Sequence, residues 1–349
     1  MLVAAALVPI GAGKSTVKTA SFVETIAGAE APGVKRPRDD DLALYDRAIE
    51  RIRQGENYYD FIAAEHRQAD YPVRPGLAVR LPTLAYIDAW LGEGGQIAAS
   101  LALLATVMFA WRRRLGGEPG GERKWARTLA FLFVGTSLGL NRYYFVLHEL
   151  WAGMLLALAF GLHRPGRWGA SLAVAALAVA IREHALPFIL LMGAMAFWQR
   201  DWREGAAWSA LAAAFLAVLA VHLHLVAAQA LPSDPQGPSW LAMRGLSGWL
   251  SNIVLSSNLR FLPHWLAGPA VILMIAGWAG WRSPAGSFGT LLYLGYGFFF
   301  MVAGRPDNFY WGAMIAPAMF IGLAFAPRAL GSLALAAFPG RQPEPAFAK

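Results

Sequence analysis

The feature that most constrains this chain is a succession of nine apolar runs between residues 84 and 326, separated by short breaks whose charge alternates. The runs cover 84–111, 126–140, 148–163, 168–183, 185–198, 205–227, 263–281, 287–303 and 309–326. A bilayer-spanning helix needs about 20 apolar residues, and so dense a series of near-span-length runs predicts an all-α, polytopic transmembrane fold. Arg112, Arg113, Arg114, Arg123, Lys124 and Arg127 fill one break. Arg164 with Arg167, Arg200 with Arg203, Arg282, and finally Arg328, Arg341 and Lys349 fill the others of this kind. The intervening breaks hold only Arg142, Arg182, Arg244, Arg260 and Arg305. Fourteen basic residues against five, in alternation, is the pattern of cytoplasmic and external loops.

Composition supports lipid as the solvent. The chain is 57% apolar and 15% charged, against about 45–50% and 25% for soluble domains. The 14 tryptophans fall near run ends, as interfacial belts do. A net charge of +8 could suggest nucleic acid. However, 11 acidic residues match 11 basic ones between residues 14 and 83, so no nucleic-acid arm is present there. With no cysteine, disulfides, thiolate metal sites and a cysteine nucleophile are excluded.

The chain divides into four parts. Residues 1–13 read as a short, truncated first membrane helix, which brings the expected number of spans to about ten. Residues 14–83 form a first extracytoplasmic loop, 84–327 a transmembrane bundle, and 328–349 a cytoplasmic tail. Lys14-Ser15-Thr16 follows a glycine pair, but Val8 stands where a phosphate-binding loop needs its first glycine. In the 14–83 module, Asp39, Asp40 and Asp41 open a helix, with acids suited to the first turn. Leu42, Tyr45, Ile49 and Ile52 then recur on one face until Gly55, as in an interfacial amphipathic helix. The proline-rich stretch from Tyr71 to Pro82 reads as extended, with Arg74 and Arg80 within reach of a lipid phosphate.

An acidic cluster opening a long external loop, then an interfacial helix and many spans, resembles the GT-C glycosyltransferases, polytopic enzymes that use polyprenyl-phosphate sugars. The resembling residues are Asp39-Asp40-Asp41-Leu42-Ala43-Leu44-Tyr45 and Gly55-Glu56-Asn57-Tyr58-Tyr59. The resemblance implies sugar transfer from a lipid-linked donor to a lipid or glycan acceptor on the external face of a bacterial inner membrane. It implies that Asp39, Asp40 or Asp41 acts as base, or that Asp39 and Asp41 hold a divalent cation such as Mg2+ or Mn2+. Such chemistry needs a carboxylate for the acceptor's proton and positive charge for the departing phosphate. External breaks supply the substrate-binding candidates Arg142, His148, Glu149, Arg182, Glu183, Arg260, Arg305 and Asp307. Charges at such positions are costly in lipid and mark function. The alternative is a transporter or lipid flippase gated by Arg182 and Glu183. An internal repeat, which a transporter should carry, is not visible in the sequence.

Overall fold

A computed structural model describes residues 38–337, and it is helical, with only two isolated β-bridges among the described residues. The expectations for residues 1–13 and for the end of the tail lie outside the described residues. Helix α1 (Asp40–Arg53) begins after Asp39 at the N-cap, carries Asp40 and Asp41 in its first turn and ends at Gly55, whose φ of +90° suits glycine. Helix α2 (Tyr58–Gln68) is capped by Asn57, which accepts from the Tyr59 amide. These two pack together and share a small core made by Leu42, Ala48, Ile49, Tyr58, Phe61 and Ile62. The interfacial helix expected at Leu42–Ile52 is therefore part of a packed helical pair. The second helix went unread, although Tyr58, Phe61, Ile62 and Glu65 stand at helical spacing.

Every apolar run falls in helix. Helix α3 (Thr83–Gly117) bends at Gly92. It is followed by α4 (Trp125–Thr136), α5 (His148–Leu162), α6 (Gly169–Ile181), α7 (Leu186–Trp198) and α8 (Trp202–Gln229). Helices α9 (Gly245–Leu255), α10 (His264–Gly280) and α11 (Pro284–Val302) complete the regular part. Among the described residues, the segments long and apolar enough to cross a membrane are Gly76–Gly117, Trp202–Gln229 and Pro284–Val302, with a fourth if the bent pair Ala316–Ala324 and Ala326–Ala337 is one span. Helices α5, α6, α7, α9 and α10 are apolar but shorter.

The last expected run, 309–326, is no single helix. It breaks into a 3-10 stretch (Pro306–Met314), a short α12 (Ala316–Met319) and a second 3-10 turn (Phe320–Ala324), with α13 (Ala326–Ala337) beyond. This segment threads the bundle at backbone contact. A Cβ on Gly312 would stand 2.1 Å from the Asn252 carbonyl oxygen, and one on Gly322 would stand 2.0 Å from that of Met274.

The alternation in the sequence becomes two ends of the bundle. At one end Arg114 donates to the carbonyls of Phe160 and His163, Arg127 to that of Ala324, and Trp281 to that of Pro119. His163 meets Glu204 there. At the other end the arginine-poor breaks meet the α1–α2 pair, its flanking residues and one another. Arg38 donates to the Tyr143 carbonyl, Arg67 grips Asp234, Arg80 reaches Tyr310, and Arg260 reaches Tyr144.

Candidate functional site

Between the α1–α2 pair and the bundle lies an open cavity of about 530 Å3. Five stretches distant in sequence build most of it: the start of α1, the Tyr71–Arg80 strap, the Arg182–His184 turn between α6 and α7, and the loops 237–241 and 303–311. Asp41 lines it, whereas Asp39 and Asp40 are exposed and absent from the lining. The reason is helical rotation. Asp41 sits one turn before Tyr45, which faces the same cavity, while Asp39 precedes the helix. Tyr71 donates its hydroxyl hydrogen to Asp41 Oδ1. Burial and the Asp41 carboxylate raise the Tyr71 pKa, so the phenol stays protonated.

The floor is an ionic cluster. Arg182, 1% exposed, donates Nε to Glu149 Oε1 at 2.6 Å and Nη1 to Glu183. His184 Nδ1 lies 3.3 Å from Glu183. Arg80 Nη2 stands 3.9 Å from Glu149 and 3.1 Å from the Tyr310 hydroxyl, and its Nε donates to Tyr45 at 3.0 Å. His148 is buried behind this cluster, ring against Tyr45 at 5.1 Å, with neither nitrogen hydrogen-bonded. At the rim Arg305 lines the cavity and holds Asp307 through two bonds of 3.1 and 3.2 Å.

Of the expected binding residues, His148 and Glu149 are buried behind the lining, and two more stand elsewhere. Arg142 pairs with Glu93 at the exposed surface, and Arg260 stays on the perimeter beside Tyr144, its guanidinium 5.9 Å from the Phe261 ring. The sequence placed them at the right end, but it carries no signal for where around the bundle a loop residue falls. Arg74, expected near lipid phosphate, donates to the Leu231 carbonyl. Sequence reading missed His66, Tyr71, Trp240, Tyr310 and Trp311 on the cavity wall. Aromatic residues clustered in the external breaks were the available signal. His66 donates from Nδ1 to the Pro72 carbonyl, and burial lowers its pKa to about 4.

Loop 230–244 straps the cavity. The Gly237 amide donates to the Arg74 carbonyl and the Gly304 amide to that of Trp240, each at 2.7 Å. Arg67 locks the loop by bonds of 2.7 and 3.0 Å to Asp234, and this contact lowers the Asp234 pKa to about 2. Among the described residues, no group of three His, Asp or Glu side chains is arranged to hold a metal. Comparison with family models, curated proteins and solved structures gives no significant match.

Proposed function

We propose that this chain is a GT-C-like membrane glycosyltransferase of about ten spans, lying in a bacterial inner membrane with its cavity on the external side. It would move a sugar from a polyprenyl-phosphate donor to a lipid or glycan acceptor. The observation that supports this best is the meeting of Asp41, Arg182–Glu183 and Arg305–Asp307 in one cavity. That cavity combines a carboxylate, guanidinium groups and aromatic walls, the equipment that transfer of a sugar from a phosphate requires.

In this reading Asp41 Oδ2, the oxygen not held by Tyr71, takes the proton of the acceptor hydroxyl. The hydroxyl oxygen then bonds to the anomeric carbon as the carbon–oxygen bond to the lipid phosphate breaks. The phosphate leaves with the electron pair, and Arg305 neutralises it with paired N–H donors. A divalent ion would lean on Asp41 and on the donor's phosphate oxygens, since Asp39 and Asp40 are outside the lining. Transfer that persists in EDTA would remove the ion from this reading.

The test is transfer from a polyprenyl-phosphate sugar by membranes holding single variants. Asp41→Asn should lower the rate by about 10²–10⁴-fold, the usual worth of a general base. Asp39→Asn and Asp40→Asn should keep most of it. Full activity in Asp41→Asn would sink the carboxylate mechanism and favour the transport reading, with Arg182 and Glu183 as its gate.

A further inference from the structure

We infer that the cavity floor at Arg182, Glu183 and Trp311 is the subsite that reads the transferred sugar, and that it does so through an uncharged acceptor oxygen. This rests on the glycosyltransferase reading and adds what that reading leaves open, the class of sugar and its orientation.

Two buried donors at the floor have no acceptor. Arg182 Nη2 and Trp311 Nε1 are without a hydrogen-bond partner, on residues 1% and 5% exposed, and both residues line the cavity. Buried N–H groups are rarely left unmade unless a ligand or water completes them. The two belong to one patch, because the His184 ring that neighbours Glu183 also lies 4.4 Å from the Trp311 ring.

Charge selects what the donors accept. Arg80 and Arg182 are already balanced by Glu149 and Glu183. An anion added there would stand in a low-dielectric site without a countercharge. A hydroxyl or carbonyl oxygen adds no charge, and Glu183 can take a hydroxyl hydrogen in return. Trp311 and Phe299 stack at 5.7 Å with planes 11° apart, so the wall beside these donors is aromatic and suits the apolar side of a sugar.

Depth separates sugar from phosphate. Helices α6 and α11 both start at the basic end and rise toward the cavity, with 13 and 19 residues. At 1.5 Å per residue the helix leading to Arg182 is about 20 Å long and the one leading to Arg305 about 28 Å. With both helices standing along the normal of a hydrocarbon core of about 30 Å, Arg305 would be at headgroup level and Arg182 beneath it. A lipid phosphate meets Arg305, and the sugar it carries reaches down to Arg182.

The test uses the full chain in nanodiscs and measures binding of a polyprenyl-phosphate hexose, its monodeoxy analogues, the matching hexuronate, and polyprenyl phosphate alone. For the wild type, one deoxy analogue should bind roughly tenfold more weakly than the parent, the order of one or two lost hydrogen bonds. The hexuronate should also bind more weakly. Trp311→Phe keeps a ring but loses the N–H, so it should bind the parent as weakly as that analogue and no longer distinguish the two. Unchanged discrimination in Trp311→Phe, tighter hexuronate binding, or a wild-type panel in which no deoxy position matters would each overturn the floor assignment while leaving sugar transfer standing. A wild type that prefers polyprenyl phosphate without a sugar would bring down the transfer reading, and the floor assignment with it.

Discussion

The two ends of the bundle bury similar groups and treat them differently. At the basic end the indole N–H groups of Trp111, Trp208, Trp278 and Trp281 each find an oxygen, at 2.9–3.0 Å. Arg114, 4% exposed, is saturated by Glu118 and two carbonyls. At the cavity end Trp249 and Trp311 keep buried indole N–H groups without partners, as do both nitrogens of His148 and one of Arg182. A folded chain normally satisfies such groups. Thr128 Oγ1 apart, the basic end is finished by its own atoms, whereas the cavity end leaves several groups for something to complete, so function is to be sought there.

The strongest attempt to break this contrast sets Arg182→Met against Arg114→Met. The first strands Glu149, 1% exposed, with only Arg80 at 3.9 Å, and should cost about 3–5 kcal/mol. The second leaves Glu118, 10% exposed, still accepting from the Ala285 amide, and should cost about 1–3 kcal/mol. Thermal unfolding in detergent measures both, and equal losses would mean that the two clusters are equivalent.

Acid offers a second comparison. Burial holds the His66 imidazole at about 4, below the usual 6.5, so the unfolded chain binds the proton more readily than the fold does. The stability this carries is complete above pH 6.5 and is lost as pH falls from there toward 4. The wild-type melting temperature should therefore drop across that window, and His66→Gln should drop less. Parallel curves would show that His66 is not the group responsible.

The smallest effect is the sharpest. Trp281→Phe removes the donor to the Pro119 carbonyl and should cost about 1 kcal/mol. Trp311→Phe removes a donor that has nothing to lose, and its stability should hold or rise slightly. A larger loss at Trp311 than at Trp281 would reveal a hidden partner for the Trp311 N–H.

The apolar runs and the alternating arginines made the helices and the two ends legible, because both follow from local composition. Run lengths did not translate into uniform spans. Pro317 and close glycine contacts break the last run, and such contacts exist only after packing. Within the triplet, the choice of Asp41 was readable in principle from its four-residue spacing to Tyr45. Arg305 could be placed because its loop is short, whereas Arg142 and Arg260 needed an azimuth around the bundle that no linear pattern contains. The strap over the cavity joins positions such as Arg67 and Asp234, and a pairing across so long a stretch leaves no local trace.

The 13-residue lengths of α6 and α7 have an electrical consequence. In an energised bilayer, with the cavity facing outward as proposed, water filling it would carry the outside potential down to Arg182. The voltage would then fall across roughly 20 Å of helix instead of the full ~30 Å. Each elementary charge moved through that field exchanges about 2.3 kcal/mol per 100 mV. Two arginines and two glutamates moving together would exchange almost none, so the intact floor is insulated from changes in membrane voltage.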